Sequence, residues 1–213
     1  MLSILLLAGC AAQTSLTPLG RGNTTANLSV GGPMLTAFSN KIPVPYTVLG
    51  INYGMSERAN VTGNLHIFPL AYKIAGLDLG LSYFPVENEG WKPTFGVQQK
   101  IMIFGSLKSS VASRFRFYPI TSPTFAWKQK HGLFYTGFDL VPLLFNADYD
   151  NQPPRIVFSP FIGHRWQVWK RTGLQLELKW HGYNIRSDEM AVDYQTFGNR
   201  GALTPFISFD RRF

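Results

Sequence analysis

The sequence predicts an all-β chain closed into an up-and-down antiparallel transmembrane β-barrel of about ten strands, within a range of roughly eight to twelve. Three observations point there. From residue 24 onward, stretches of about ten residues alternate polar and apolar side chains and are divided by turn residues. Several of these runs outlast the roughly five or six residues usual in soluble strands and approach the roughly 9–11 that span a bilayer. The composition is apolar, with 45% hydrophobic against 15% charged residues in 213. Yet no run of about 20 apolar residues exists to cross as a helix.

Taken in order, the strands are expected at 24–31, 45–54, 59–69, 76–84, 94–104, 111–118, 132–145, 155–168, 173–184 and 202–213. Strand side chains point alternately to opposite faces. Asn60, Thr62, Asn64 and His66 therefore share one face, and Val61, Leu65 and Ile67 the other. In the next run Leu77, Leu79, Leu81 and Tyr83 oppose Asp78, Gly80 and Ser82. Late in the chain Leu174, Leu176, Leu178 and Trp180 oppose Gln175, Glu177, Lys179 and His181. Pro160 and Pro205 fall inside strands, where each removes a ladder hydrogen bond, so a bulge or strand end is expected at each. Tyr46, Tyr83, Phe84, Trp91, Phe117, Tyr118, Trp166, Trp169, Trp180 and Tyr183 fall near strand ends, as interfacial girdles would.

Two terminal motifs add to this pattern. Leu2–Gly9 is an apolar run ending in small residues, followed by Cys10, the one cysteine; this is the body of a secretory signal peptide. Leu7-Ala8-Gly9-Cys10 resembles the lipobox of bacterial lipoproteins. The resemblance implies diacylglycerol on the Cys10 thiol, cleavage before Cys10 by the lipoprotein-maturation machinery, and, because Ala11 is not Asp, transfer to the outer membrane. No Lys or Arg precedes the apolar run, a departure from that pattern. An ordinary signal peptide cut near Ala11 or Ala12 is the other reading. The expected organisation is signal peptide 1–9, lipidated flexible tether 10–23 and barrel 24–213.

At the other terminus, Phe213 with Phe209 and Ile207 on the same face resembles the last strand of bacterial outer-membrane β-barrel proteins. That resemblance implies recognition of Phe213 by the barrel-insertion machinery and a periplasmic C-terminus. An even strand count then places the N-terminus in the periplasm too. Connections 32–44, 146–154 and 185–201 become extracellular, and 55–58 and 169–172 periplasmic. Long outside and short inside is the expected asymmetry. The connection at 119–131 breaks it.

The interior is expected to be lined by Asn64, Asp78, Arg114, Arg116, Asp139, Arg165, Glu177 and Lys179, with Asn52 and Asp210 alongside. A barrel of about ten strands is narrow, so these would pack as charge pairs or leave a narrow polar pore. Outer-membrane phospholipases and lipid A deacylases carry His-x-Ser on one strand face. Here the residues two after His66, His131, His164 and His181 are Phe68, Leu133, Trp166 and Tyr183. No metal or nucleophile-elbow motif occurs, so no catalytic residue, metal or cofactor is expected.

The net charge of +8 is scattered rather than striped, which argues against nucleic acid. Outer-membrane lipids are the expected partners, with the segment 186–200 as a candidate extracellular contact. The expected function is an outer-membrane barrel lipoprotein with a structural, surface-interaction or narrow-pore role. A lipid-anchored soluble barrel like the lipocalins, and an outer-membrane lipid-modifying enzyme, are the alternatives.

Overall fold

The computed structural model describes residues 11–37, 40–87, 90–107, 115–144, 155–187, 194–196 and 198–213. Its strands are β1 (Thr24–Gly31), β2 (Met34–Ala37), β3 (Asn40–Pro43), β4 (Tyr46–Gly54), β5 (Ala59–His66), β6 (Ile74–Val86), β7 (Thr94–Ser106), β8 (Phe115–Gln129), β9 (Gly132–Pro142), β10 (Ile156–Trp169), β11 (Thr172–Arg186) and β12 (Arg200–Arg212). Ten of them, β1 and β4–β12, pair with sequence neighbours into one closed antiparallel barrel, sealed where β1 meets β12. Closure leaves no strand edge unpaired, which any sheet surrounded by lipid requires. The hairpin β2–β3 stands apart between β1 and β4, inside the span expected as a plain connection at 32–44.

The connections divide by end. Those at 55–58, 87–93, 130–131 and 170–171 lie at the end where β1 starts and β12 finishes, here the terminal end. The strand ends that bound 32–45, 67–73, 107–114, 143–155 and 187–199 lie at the opposite end. The expected exception at 119–131 disappears. The sixth barrel strand, expected at 111–118, runs from Phe115 to Gln129 as β8 and turns tightly at 130–131. Pro119 and Pro123, which read as turn signals, sit within it. The ladder to β7 is continuous through both, and the bridges to β9 are missing at Ser122 and Pro123. Pro160 and Pro205 each lie inside a continuous pairing on one side, opposite Phe138 and Leu178, while the ladder on the other side stops one residue away, at Phe161 with β11 and at Phe206 with β1. The register shifts occur elsewhere, as at Tyr83/Val86 and His181/Arg186.

Polarity is inverted relative to a soluble domain. Leu77, Leu79 and Leu81 point outward, 41%, 53% and 48% exposed, while Asp78 between them is fully buried. Asn52, Asn60, Thr62, Asn64, Gln98, Lys100 and Ser208 are buried inside. A lipocalin-like barrel needs the reverse, apolar faces inward, and that alternative is removed. Of the expected girdle, Tyr83, Trp91, Phe117, Trp166, Trp169 and Tyr183 are exposed, whereas Tyr46, Phe84 and Tyr118 are buried. Alternation explains two of the exceptions, since Tyr83/Phe84 and Phe117/Tyr118 are adjacent on one strand and must part.

The barrel interior narrows by size matching across strands. A Cβ on Gly163 would stand 2.2 Å from the Tyr135 hydroxyl, so the phenol lies flat over the glycine. Gly163→Ala is expected to displace Tyr135 and cost about 1–3 kcal/mol. Denaturant midpoints of the refolded barrel measure this, and an unchanged midpoint would contradict the packing described.

Candidate functional site

The lumen holds the chain's own N-terminal segment. Ala11, Ala12, Gln13, Ser15 and Leu16 are all buried. The sequence favours a flexible tether at 10–23, because the stretch is polar and rich in Thr and Gly. Its residues 11–19 instead lie inside the barrel, where their polar groups find partners on the inward faces. The chain leaves the lumen through a reversal at Gly20 and Gly22, with φ of +77° and +81°, a conformation that side chains other than glycine rarely adopt. Gly22 N–H donates to the Gly54 carbonyl and Gly54 N–H to the Asn23 carbonyl, both at 2.9 Å, joining the reversal to β4.

One wall grips the segment with charge. Lys179 on β11 is fully buried; its Nζ donates to Asp139 Oδ2 at 2.7 Å and to the Ala11 carbonyl at 2.8 Å. Glu177 Oε1 stands 3.6 Å away from the same ammonium. The rings of Phe161 and Phe206 lie 5.4 and 5.9 Å from it. Glu177 Oε2 accepts from the Gln13 backbone N–H and from the Tyr135 hydroxyl, each at 2.9 Å. Gln175 donates to the Gln13 carbonyl, and Gln13 donates to Asp139 Oδ1, which also accepts from Ser122. Burying these charges is tolerable only because each meets opposite charge or a hydrogen-bond partner.

The facing wall grips it with amides. Asn60 on β5 donates to Ser15 Oγ and to the Thr17 carbonyl, and its Oδ1 accepts from the Leu19 N–H. Arg212, near the end of β12, donates to the Leu19 carbonyl at 2.9 Å. Toward the opposite end the interior turns aromatic. Tyr46 Oη lies 2.7 Å from His66 Nδ1, and His66 Nε2 lies 2.6 Å from Asp78 Oδ1. Phe104 packs against His66, and Tyr118 against Phe104. Met102, Ile120, Val141 and Val157 complete an apolar cluster with these rings.

The expected lining residues thus occupy distinct places. Asp139, Glu177 and Lys179 meet at the N-terminal segment. Asn64 and Asp78 sit with His66. Arg165 pairs with Asp210 through two hydrogen bonds of 2.7 and 2.6 Å nearer the terminal end. Arg116 lies partly buried on β8. Cys10 and Arg114 fall outside the described residues, as do 188–193 and 197 of the 186–200 segment. The sequence put His66 and Gln175 on polar strand faces without a role and Tyr46 in a girdle, and it gave no sign of Gln13, Tyr135 or the Ser159–His181 contact of 3.3 Å. A His-x-Ser pattern lies along one strand, whereas β10 and β11 bring this pair together side by side. Neither residue lines the cavity at the terminal end. Among the described residues, no group of three or more His, Cys, Asp and Glu side chains could hold a metal.

That cavity, about 640 Å³, lies below the N-terminal segment, with Thr14–Leu19 in one wall. Replacing Lys179 by Met is expected to strand Asp139 and Glu177 and destabilise the barrel by about 3–5 kcal/mol. Adding Asp139→Asn and Glu177→Gln should recover part of that loss. Denaturant titration of the three forms checks it; equal loss in the single and triple variants would show that charge is not what holds this wall.

No protein-family description and no curated protein matches the sequence. Solved structures do match in shape. An outer-membrane channel from Pseudomonas putida F1 superposes with a TM-score of 0.50 at 11% identity, covering 95% of this chain and 100% of that one. The attachment invasion locus protein of Yersinia pestis gives 0.32 at 11% identity over 91% and 99% of the two chains. The translocator domain of the autotransporter NalP from Neisseria meningitidis gives 0.44 at 9% identity over 99% and 93%. The closed antiparallel topology with an apolar exterior, together with the first of these superpositions, gives this chain the fold of the outer-membrane β-barrels.

Proposed function

We propose that the protein is an integral outer-membrane β-barrel acting as a narrow gated pore, with its N-terminal segment as the movable gate and both termini on the periplasmic side. The observation that carries this is the seating of residues 11–19 against a polar lumen wall through hydrogen bonds and one ammonium group. A barrel whose lumen were filled by strand side chains alone would have no room for such a segment. The apolar exterior supports residence in the membrane. The short connections at the terminal end and the long ones opposite support the orientation. The aromatic layer around Tyr46, His66 and Phe104 is a second closure on the same path.

Lipidation of Cys10 belongs to the same reading. Ala11 is held inside the lumen by Lys179 and packed with Tyr46, Val48 and Phe206, walled off from the bilayer by the strands. A diacylglycerol on Cys10 in the periplasmic leaflet therefore requires residues 11–19 to be withdrawn. Anchored and plugged are then alternative states of one segment.

Gln13→Glu tests the gate, because it sets a third carboxylate against Asp139 and Glu177 and should expel the segment. In planar bilayers the variant is expected to show voltage-driven currents well above those of the natural chain. Silence in both Gln13→Glu and Gln13→Glu/Phe104→Ala would sink the pore reading in favour of a structural barrel. For membrane residence, Leu79→Arg near the middle of β6 should cost about 2–4 kcal/mol in a bilayer. Little or no such loss would place that face outside lipid.

A further inference from the structure

We propose that the outer face of β7 and β8 is a contact between two copies of this chain in the membrane, centred on Gln99. The proposal needs only that this face meets lipid, and it stands apart from the pore. Gln99 lies near the middle of β7, with its side chain exposed on the outside of the barrel. Along the strand its outward neighbours are Val97 and Ile101. Across the sheet it stands opposite Leu81 on β6 and Thr121 on β8. A carboxamide thus occupies a level of the wall where the neighbouring strand presents Leu79 and Leu81. The Thr121 hydroxyl donates to Gln99 Oε1 at 2.9 Å, and the Gln99 Nε2 group has no partner among the described residues. Hydrocarbon offers no water to satisfy it, and an unpaired amide N–H is costly there.

A second copy meets that need for a geometric reason. Copies inserted in the same direction carry Gln99 at the same depth. A twofold axis along the membrane normal then brings the two amides together, and a carboxamide is both donor and acceptor. Each Nε2 donates to the other copy's Oε1, which has a second lone pair beyond the one used by Thr121. Hydrogen bonds of this kind join spanning segments in lipid. The outward line of β8 suits close approach. It runs Phe117, Pro119, Thr121, Pro123, Phe125, so small side chains lie between two exposed rings. That hollow admits the wall of a neighbouring barrel, and the rings at its ends extend the apolar contact. The wall behind the hollow is also the one whose bridges to β9 are missing at Ser122 and Pro123. A protein neighbour covers the gap with surface that lipid cannot match in shape.

Sedimentation equilibrium of the full chain in density-matched, uncharged detergent tests the contact. The natural chain is expected to dimerise, and Gln99→Leu to raise the dissociation constant about tenfold. Gln99→Leu removes a polar group from the lipid face, so a weaker dimer does not reflect a damaged barrel. Slower mobility after heating, in gels of unheated and heated samples, shows that each variant has folded. In liposomes, with Cys10→Ser throughout, Ile101→Cys should give covalent dimers with a short bismaleimide cross-linker. Ile207→Cys on β12, across the barrel from β7, should not.

A monomeric natural chain overturns the contact. So does a dimer equally tight in Gln99→Leu, or cross-linking from Ile207→Cys that equals or exceeds that from Ile101→Cys. Dimers without currents in Gln13→Glu would keep this face and remove the pore. Currents from a chain that stays monomeric would do the opposite.

Discussion

A buried ammonium must be surrounded by negative charge and hydrogen-bond acceptors, and the centre of this barrel is arranged around that requirement at Lys179. Its anions come from β9 and from β11 itself, its aromatic neighbours from β10 and β12, and its backbone acceptor from Ala11. Asp139 and Glu177 in turn need more donors than one lysine can give. Ser122, Tyr135 and the backbone and side chain of Gln13 supply them. The N-terminal segment is therefore a member of the network and not a filler. Without it, the Lys179 ammonium and both carboxylates lose partners that the strands do not replace.

The same side-chain alternation that assembles this network also clothes the outside. Each strand that sends Glu177 and Lys179 inward sends Leu176 and Leu178 outward. Interior chemistry and lipid-facing surface are thus set by one register, and a slip of one residue would exchange them. The pairing of small and large residues, Gly163 beneath Tyr135 above all, fixes that register on the inner face. Closure between β1 and β12 fixes it around the circumference.

Much of the barrel was legible because its signal is local. Alternation at Leu77–Tyr83 and Leu174–His181 shows which side chains share a face without any knowledge of neighbours. Where local signs mislead, tertiary pairing overrides them. Pro119 and Pro123 look like a turn, but a proline costs only its own N–H, and the ladder to β7 carries β8 through both. The site was less legible, for a physical reason. Contacts such as Gln13 with Glu177 or Ser159 with His181 join residues on different strands, or far apart in the chain, and no periodicity encodes them. A polar segment such as Gln13–Thr17 reads as solvated unless its partners are known, and those partners sit on the inward faces of β5, β9 and β11, far along the chain. Asn60, by contrast, shows its inward face in the sequence, though not the segment it would bond.

The two-glycine reversal also orders events in time. Residues 11–19 precede β1 and are made before any strand, yet their seat is assembled from β5, β9 and β11 and is latched by Arg212 on the last strand. A segment made before every strand is thus among the last parts to settle. A cylinder that has not joined β12 to β1 lacks the Arg212 latch, and its leading segment has no complete berth. Occupancy of the lumen consequently reports that assembly has finished. The turn at Gly20 and Gly22 is what allows one continuous chain to build the wall first and then fold its own beginning back inside it.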